Sequence, residues 1–390
     1  MKYDFDRILD RTGTASVKRD FCGLRYGLED VIPMWVADMD LPAPAPVVEA
    51  LRRRAGHQAY GYTLYPDSFW QAIAGWLGVR HGWAVRREWL TGSPGVVPSL
   101  NLCVRAFCPQ GGKVVIQTPV YHPFFRVVEA NGRRLVRNPL KLENDRFVMD
   151  LEGLEAVIDK DTRLILLCSP HNPVGRVWTR EELGRLGEIC VRRDIVVVSD
   201  EIHCDLVFGG RRHTPTSTVS PGLAGRTIAL LAPSKTFNTA GLMTSFAVAS
   251  NPDLLRAYET ELRSVGMDEG NVFGILGLEV AYRQGADWLD QLLPYLEGNI
   301  AFAAEFIRAR IPSLRFRAPE GTFLALLDCR ALGLPQDALD DFFLRKARVY
   351  FDPGSKFGPE LEGYERMNFA CPRPVLREAL ERIARAVEAL

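Results

Sequence analysis

A lysine placed directly after an apolar stretch is the residue of this chain best suited to chemistry. Lys235 closes the run Ala-Pro-Ser-Lys at 232–235, which follows the strand-like residues 227–231. A lysine where a buried strand ends can project into a crevice instead of into solvent, and a desolvated amine is a candidate for Schiff-base chemistry. The sequence therefore indicates a nucleophilic lysine at this position.

Two polar residues occupy comparable places upstream. Asn172 lies in a Ser-Pro-His-Asn-Pro-Val-Gly run that follows one apolar stretch, and Asp200 lies in a Ser-Asp-Glu run that follows the next. Open α/β folds bind ligands at the carboxyl ends of their strands. We therefore expect three successive strands to bring an amide, a carboxylate and an amine to one edge of a sheet.

The elements that must position these residues are indicated by five short apolar runs, typical of strands that parallel sheets bury on both faces. A helix separates the second run from the third, since Thr179 and Glu182 form a capping box before an apolar stripe. A strand, a helix and a strand in this order predict a βαβ unit, and an α/β fold. The five runs are 113–117, 163–167, 194–198, 227–231 and 245–249.

The last hundred residues have a different pattern, and we expect a second, smaller α+β domain there. It combines a long helix after Trp288 that ends near Arg310, two strands at 323–327 and 366–369, and a final amphipathic helix from Pro374. Part of the N-terminal segment is expected to join it. The predicted divisions are an N-terminal segment 1–46, a large domain 47–285 and a small domain 286–390.

Length and composition are consistent with a two-domain globular protein. The chain has 390 residues, 47% of them hydrophobic, and its 48 basic residues equal its 48 acidic residues. Such a balance gives no support for nucleic acid or a membrane surface as partner. The acidic N-terminus and the lack of an apolar run near the roughly 20 residues of a membrane span predict a soluble cytoplasmic protein.

The eight cysteines are scattered, which favours free buried thiols in a reducing compartment over disulfides. His203, Cys204 and Asp205 are the one cluster of metal-ligand types. Neighbours on a strand point to opposite faces, so we expect no metal site there. Residues 92–100 read as a small-residue turn into an apolar helix, and the backbone amides of such a helix start can hold a phosphate.

In order and spacing, three motifs resemble those of pyridoxal-phosphate enzymes of the aspartate aminotransferase fold, fold type I. They are Asn-Pro-x-Gly at 172–175, Ser-Asp-Glu at 199–201 and Ser-Lys-Thr at 234–236. Within that group, the runs at 34–40, 60–62, 200–203 and 234–238 resemble the cystathionine β-lyase branch of the MalY and PatB type. The resemblance implies a large domain with a mostly parallel seven-stranded sheet flanked by helices, plus a smaller α+β domain.

The resemblance also implies roles around pyridoxal 5′-phosphate, with Lys235, Tyr121 and Asp200 as the catalytic residues. Lys235 would hold the cofactor as a Schiff base and then take the α-proton of the substrate. Asp200 would bind the pyridine nitrogen, making the ring an electron sink, and Tyr121 would stack on the ring face. Asn172 would donate to the ring oxygen at C3.

The remaining implied contacts concern the phosphate and the substrate. Gly95, Val96 and Ser234 would hold the phosphate, and Tyr62 would reach it from a second subunit, which implies a homodimer. Arg366 would bind the substrate carboxylate through two parallel hydrogen bonds. Without the resemblance, Arg366 reads as a surface salt bridge on an edge strand. Ala37, Tyr62 and Asn172 would also border a small amino-acid substrate.

Two departures from the wider aminotransferase pattern favour the lyase branch. His203 stands where tyrosine is common, so an imidazole replaces the phenol that donates to the ring oxygen, and we expect its charge to vary near neutral pH. Met243 stands where many relatives have a phosphate-binding arginine. The phosphate site therefore depends more on helix amides and hydroxyls, and cofactor affinity is expected to be weaker.

The function that the resemblance favours is α,β-elimination from L-cystathionine or a related S-substituted L-cysteine, giving pyruvate, ammonia and a thiol. Transamination shares the early steps, so an aminotransferase is the first alternative. A regulatory protein that binds the cofactor but acts by contacting a partner is an alternative of another class. The motifs alone do not separate elimination from transamination, whereas the intact Lys235, Asp200 and Arg366 argue against lost catalysis without excluding a second role.

Overall fold

The computed structural model describes all residues 1–390. It contains fifteen β-strands, numbered β1 to β15 in chain order. These are Ile32–Pro33, Leu90–Ser93, Lys113–Ile116, Arg134–Arg137, Lys141–Glu143, Arg146–Val148, Thr162–Cys168, Val196–Asp200, Thr227–Leu231, Ser245–Val248, Arg315–Arg317, Leu324–Asp328, Val349–Tyr350, Asp352–Pro353 and Tyr364–Asn368.

Fourteen α-helices, α1 to α14, alternate with these strands or cover them. They are Val17–Tyr26, Ala45–Ala55, Asp67–His81, Val96–Phe107, Pro123–Glu129, Leu151–Val157, Arg180–Arg192, Pro221–Ala224, Pro233–Thr236, Pro252–Ser264, Val272–Gln284, Ala286–Arg310, Gln336–Asp341 and Arg373–Glu388. None of them combines the length and the apolar character needed to cross a membrane.

A seven-stranded sheet forms the centre of the fold, in the order β2-β10-β9-β8-β7-β3-β4. Five neighbouring strands, from β9 to β4, run parallel, whereas β10 is antiparallel to both β9 and β2. The mostly parallel seven-stranded sheet is therefore confirmed. Grouping the run at 245–249 with the parallel strands was wrong, because β10 pairs only in antiparallel fashion.

The strands nearest the centre of this sheet are almost completely buried, because helices cover both of its faces. Every residue of β9 is buried, as are six of the seven residues of β7. The predicted βαβ unit is present, since α7 connects β7 to its parallel neighbour β8 and begins with the expected capping box. The carboxyl ends of β7, β8 and β9 consequently lie side by side at one edge.

A second sheet is built by the C-terminal part of the chain, with the antiparallel order β11-β12-β15-β14. Both strands predicted in this region, the long helix and the final helix are present, with bounds shifted by at most three residues. The N-terminal segment joins this part through β1, which pairs in parallel with β13. The division at 46 and 285 stays a prediction, although α12 does begin directly after Gly285.

Candidate active site

The three predicted polar residues meet in one cavity at the edge of the large sheet. Asp200 is the last residue of β8, while Asn172 and Lys235 each follow the end of a neighbouring strand by four residues. All three line a cavity of about 170 Å³, together with Ala37, Gly95, Val96, Tyr121, His203 and Ser234. The sheet topology thus brings together residues that are 63 positions apart in the sequence.

Lys235 is positioned by the short helix α9, whose first turn follows β9. Its side chain is half-buried, and its Nζ donates a hydrogen bond to the carbonyl oxygen of Ala37 at 2.6 Å. Burial lowers the pKa of Lys235 to about 8, although the nearby Asp38 carboxylate opposes the shift. A substantial fraction of this amine is therefore neutral, and nucleophilic, at mildly alkaline pH.

Asp200 is buried, and its carboxylate accepts a hydrogen bond from the backbone N–H of Ile202 at 3.1 Å. Burial raises the pKa of Asp200 from 3.8 to about 7, and this hydrogen bond and Lys235 only partly offset the effect. A cationic N–H group placed against this carboxylate would restore its charge, because an opposite charge nearby favours the ionised form. The site is thus suited to a protonated ring nitrogen.

Arg366 lies behind Asn172 and is 2% exposed, so its interpretation as a surface salt bridge is wrong. Its Nη1 donates to Oδ1 of Asn172 at 3.2 Å, and its Nη2 donates to the Trp35 carbonyl oxygen at 2.8 Å. Asp352 forms an ion pair with the same guanidinium, and the ring of Phe357 lies 4.6 Å from it. The buried Nε has no hydrogen-bond partner. Arg366 does not itself line the cavity and contacts it through Asn172.

Part of the cavity wall is formed by a helix start. Gly95 precedes α4 with φ 156° and ψ 156°, a region that only glycine adopts without strain. No side chain caps this helix, so its first backbone N–H groups have no side-chain acceptor. Val96, Ser234 and Met243 line the same cavity. Amide donors at a helix start and a hydroxyl group together suit an anion such as phosphate.

Tyr121 and His203 complete the cavity wall. Tyr121 is half-buried, and its backbone N–H donates to the Asn172 carbonyl oxygen at 3.0 Å. His203 is buried, and its Nδ1 has no partner in the chain. Burial lowers the pKa of His203 well below 6.5, and the neighbouring Lys235 and Arg366 act in the same direction. The expectation that this imidazole changes charge near neutral pH was therefore wrong.

The structure does not bring Tyr62 to the cavity of its own chain. Its side chain is 98% exposed, and the neighbouring Tyr60 and Leu64 are 56% and 73% exposed. Ala37, by contrast, lines the cavity and accepts the hydrogen bond from Lys235. Of the predicted site residues, Tyr62 alone lies away from the cavity and from its immediate contacts.

Sequence reasoning missed the way in which residues 35–41, here called the strap, are held across the cavity. Asn368 donates to the carbonyl oxygens of Val36 and Asp38, each at 2.6 Å. Asn238 binds the backbone of Met39 and Leu41. The sequence did contain one signal that these asparagines belong to the site. Asn238 lies three residues after Lys235, and Asn368 lies two residues after Arg366.

Charged side chains hold the outer side of the strap. Arg11 forms ion pairs with Asp38 at 2.8 Å and with Asp40 at 2.6 Å. The buried Nζ of Lys18 lies 2.6 Å from Asp40 and 3.0 Å from the Asp38 carbonyl oxygen. Although burial opposes it, the hydrogen bond from Arg11 helps to hold the pKa of Asp38 below its usual value.

A buried hydrogen-bond network around Asp205 holds α9 in place. Asp205 accepts hydrogen bonds from Thr236 Oγ1 at 2.7 Å, from His81 Nε2 at 2.8 Å and from Trp76 Nε1 at 3.1 Å. The expectation of no metal site at residues 203–205 assumed that they form a strand. Residues 202–205 instead form turns. The ligand atoms of His81, Cys204 and Asp205 do approach one another within 4.8 Å. The carboxylate nevertheless already has three donors, which identifies it as a support for the residue after Lys235.

The residues present fit pyridoxal 5′-phosphate. A half-buried lysine of lowered pKa suits its aldehyde, and a buried carboxylate that lacks a cationic partner suits its ring nitrogen. The unpartnered Nδ1 of His203 is available to the ring oxygen, and the uncapped start of α4 suits the phosphate. The fold and this site together define the class of protein as the pyridoxal-phosphate-dependent enzymes of fold type I.

Comparison with known proteins identifies the family within that class. The model of the aminotransferase class I and II family matches residues 29–383, and the chain therefore belongs to this family. It is 42% identical to cystathionine beta-lyase PatB of Bacillus subtilis (strain 168), over 98% of this chain and 100% of that protein.

Two solved structures are similar over their whole length. One is a PLP-bound putative aminotransferase from Clostridium difficile 630, with a TM-score of 0.96 and 41% identity, covering 99% of this chain and 100% of that one. The other is cystalysin from Treponema denticola, which contains pyridoxal 5′-phosphate, with a TM-score of 0.97 and 33% identity over 100% of both chains. The fold prediction is confirmed by these similarities.

Proposed function

We propose that this protein is a pyridoxal-phosphate-dependent carbon–sulfur β-lyase that cleaves L-cystathionine or related S-substituted L-cysteines. The single observation that supports it most is the 42% identity to a cystathionine beta-lyase over nearly the whole chain. That identity accompanies a cavity in which Lys235, Asp200 and Asn172 occupy one sheet edge. The reaction breaks the Cα–H and Cβ–S bonds and releases a thiol and an enamine, which water converts to pyruvate and ammonia.

We assign the cofactor contacts to the residues that line the cavity. Gly95, Val96 and Ser234 would hold the phosphate, and Asp200 would hold the ring nitrogen in its protonated form. Tyr121 would stack on the ring, while Asn172 and His203 would face the ring oxygen. When bound, the cofactor supplies an electron sink for the negative charge that develops at the substrate α-carbon.

The remaining steps belong to the side chains of the protein. Arg366 would bind the substrate carboxylate, and its hydrogen bond to Asn172 and ion pair with Asp352 fix the plane of its guanidinium. Lys235 would then take the α-proton onto Nζ, for which a pKa near 8 is well suited at neutral pH. The strap covers the amine through Ala37, which limits access of water to it.

The test is product analysis with the purified holoenzyme and L-cystathionine in the absence of any keto acid. We expect pyruvate and free thiol to appear in equal amounts. Lys235→Ala is expected to reduce the rate by at least about a thousandfold, because the base is lost. Lys113→Ala, which removes a lysine paired with Asp159 at the opposite end of β3, is the control and should leave the rate unchanged. An absence of pyruvate would contradict the lyase assignment.

Transamination is the second candidate, and the similarity to a putative aminotransferase at 41% identity supports it. The side chains named above serve either reaction, because the two reactions differ only in the steps after removal of the α-proton. Amino transfer from cystathionine to an added keto acid, without pyruvate release, would favour it. A regulatory function that survives Lys235→Ala would favour the third alternative, a binding protein acting through a partner.

A homodimer is part of the proposal, with the partner subunit's Tyr62 reaching the phosphate. The exposure of Tyr60, Tyr62 and Leu64 supports it, because contiguous exposed apolar side chains commonly mark an interface. Sedimentation of the holoenzyme should give a dimer, and an active monomer would contradict it. A cytoplasmic location is also proposed, supported by eight cysteines that are all free and buried.

A further inference from the structure

Asn368 has an unusual set of partners at the end of strand β15. Its Nδ2 donates to two carbonyl oxygens of the strap, those of Val36 and Asp38, each at 2.6 Å. Its Oδ1 accepts from the backbone N–H of Ala370 at 2.8 Å. The side chain is 1% exposed, so no water competes for these bonds. One amide group therefore connects strand β15 to both sides of residue 37.

The carbonyl between those two belongs to Ala37, and its partner is the amine of Lys235 at 2.6 Å. Residues 36–38 form a bend, in which the backbone N–H of Asp38 donates to the Val36 carbonyl oxygen at 2.9 Å. In a trans peptide the C=O points opposite to the N–H, so the Ala37 carbonyl points away from the Val36 oxygen that Asn368 holds. The Asn368 side chain thereby turns the Ala37 carbonyl towards Lys235. No other side chain binds the carbonyl oxygens on both sides of Ala37.

We propose that Asn368 is a positioning residue for proton transfer by Lys235. The inference rests on the proposed role of Lys235 as the base and is independent of the fate of the product. A neutral amine that donates one N–H to the Ala37 carbonyl oxygen has its lone pair directed away from that oxygen. The α-proton of the substrate moves onto this lone pair, so the orientation of the Ala37 carbonyl sets the direction of transfer.

Asn299, in helix α12, offers a matched control because it binds the segment that follows Asn368. It is buried, and its Nδ2 also donates to two carbonyl oxygens, those of Phe369 and Cys371, each at 3.0 Å. These partners follow Asn368 in the sequence but have no bond to the strap. Asn299→Ala and Asn368→Ala therefore each remove one buried amide that binds two carbonyls, and only the second loosens residues 36–38.

The experiment measures exchange of the α-hydrogen of L-alanine in D2O by the holoenzyme, followed by proton NMR. L-Alanine has no leaving group, so exchange reports proton transfer alone, whether the enzyme is a lyase or an aminotransferase. We expect Asn368→Ala to slow exchange at saturating alanine about tenfold, with a much smaller change in KM, because a misplaced base lowers the rate more than binding. Asn299→Ala should stay within about twofold of the wild-type enzyme.

A second measurement follows the strap directly, by amide hydrogen–deuterium exchange of the peptide covering residues 35–41. Exchange there should increase in Asn368→Ala and remain unchanged in Asn299→Ala. Asn368→Ser keeps a shorter donor and should give intermediate values of both readouts. It also provides a folded protein to measure if the alanine variant does not accumulate.

Each outcome decides the proposal. Equal α-hydrogen exchange in the Asn368 and Asn299 variants would overturn it, and so would a loosened strap with undiminished α-hydrogen exchange. If the wild-type holoenzyme exchanges no α-hydrogen, Lys235 is not the base and the inference fails together with that role. If α-hydrogen exchange persists while cystathionine yields no pyruvate, only the lyase assignment fails.

Discussion

The two sides of the cavity are built in different ways. The floor, formed by Asn172, Asp200 and Lys235, stands at the ends of three adjacent parallel strands, and its positions follow from the register of the sheet. The strap, residues 35–41, belongs to no sheet and is held by side chains that bind its backbone or its carboxylates. Asn238 and Asn368, which hold it, lie roughly 200 and 330 residues away in the sequence.

This difference indicates a division of tasks. The floor would supply the groups that bond to the cofactor in the proposed function, and a rigid parallel sheet holds them at fixed separations. The strap supplies a carbonyl acceptor for the amine of Lys235 and another for Arg366. Because discrete hydrogen bonds hold it, the strap is the side that single substitutions can loosen without disturbing the sheet. Removing floor groups should therefore abolish chemistry, and loosening the strap should only weaken it.

The largest effect is expected for Asp200→Asn. An amide cannot keep the ring nitrogen protonated, so we expect cofactor affinity to fall by about a hundredfold or more and turnover with it. Equilibrium titration with pyridoxal 5′-phosphate and steady-state pyruvate release measure the two losses. Retention of wild-type affinity would contradict the position of Asp200 against the ring nitrogen.

In the cofactor-free protein, Asp200→Asn is expected to increase folding stability. Because the folded-state pKa of Asp200 is about 7 instead of 3.8, the folded state binds the extra proton between those values, and its stability falls as pH rises through them. Asp200→Asn should therefore raise the unfolding free energy at pH 8, by on the order of 4 kcal/mol. Glu201→Gln should lower it, because hydrogen bonds from His213 and Thr216 depress the pKa of that carboxylate despite its burial.

An intermediate effect is expected for Arg366→Lys, at the point where floor and strap meet. Lysine lacks the planar fork that can bind Asn172, Trp35 and a carboxylate together, so we expect KM to rise about 10- to 100-fold. Steady-state kinetics with S-substituted cysteines measure it. Arg330→Lys, which changes a guanidinium that binds Asp328 through two nitrogens outside the cavity, is the control. An unchanged KM would show that Arg366 does not bind the substrate.

The smallest effect is expected for Arg11→Gln, which removes ion pairs on the outer side of the strap. Both acidic partners, Asp38 and Asp40, remain close to the buried amine of Lys18, so the strap should loosen without leaving its place. We expect a loss of about 1 kcal/mol in unfolding free energy and a rate reduction of about threefold. Arg80→Gln, which removes a surface pair with Asp290, controls for the charge. An equal rate reduction in both variants would contradict a specific role of the strap.

The floor and most of the fold could be predicted from the sequence because their signals are local. Apolar runs identified five strands, and the polar motifs stand directly after three of them. Strands β2 and β4 were missed because their composition is weak: Leu90–Ser93 contains threonine, glycine and serine, and Arg134–Arg137 is an edge strand with arginine at both ends. Neither reaches the apolar density on which the prediction depended.

The strap could not be predicted because its bonds join residues far apart in the sequence. No periodicity relates Arg11 or Lys18 to Asp40, and an asparagine that caps a turn looks the same as one that binds a strap. The protonation state of His203 could not be predicted from the sequence either, since its lowered pKa results from burial beside Lys235 and Arg366. Tyr62 remains a prediction, because its proposed partner belongs to a second subunit.

The function proposed above requires that the holoenzyme converts L-cystathionine by elimination in preference to transamination. The most direct measurement is a competition in which the holoenzyme receives L-cystathionine together with 2-ketoglutarate, and pyruvate and glutamate are quantified in the same reaction. We expect pyruvate to form at least about tenfold faster than glutamate, a difference of about 1.4 kcal/mol between the two barriers. Glutamate accumulating faster than pyruvate would contradict it and identify the protein as an aminotransferase.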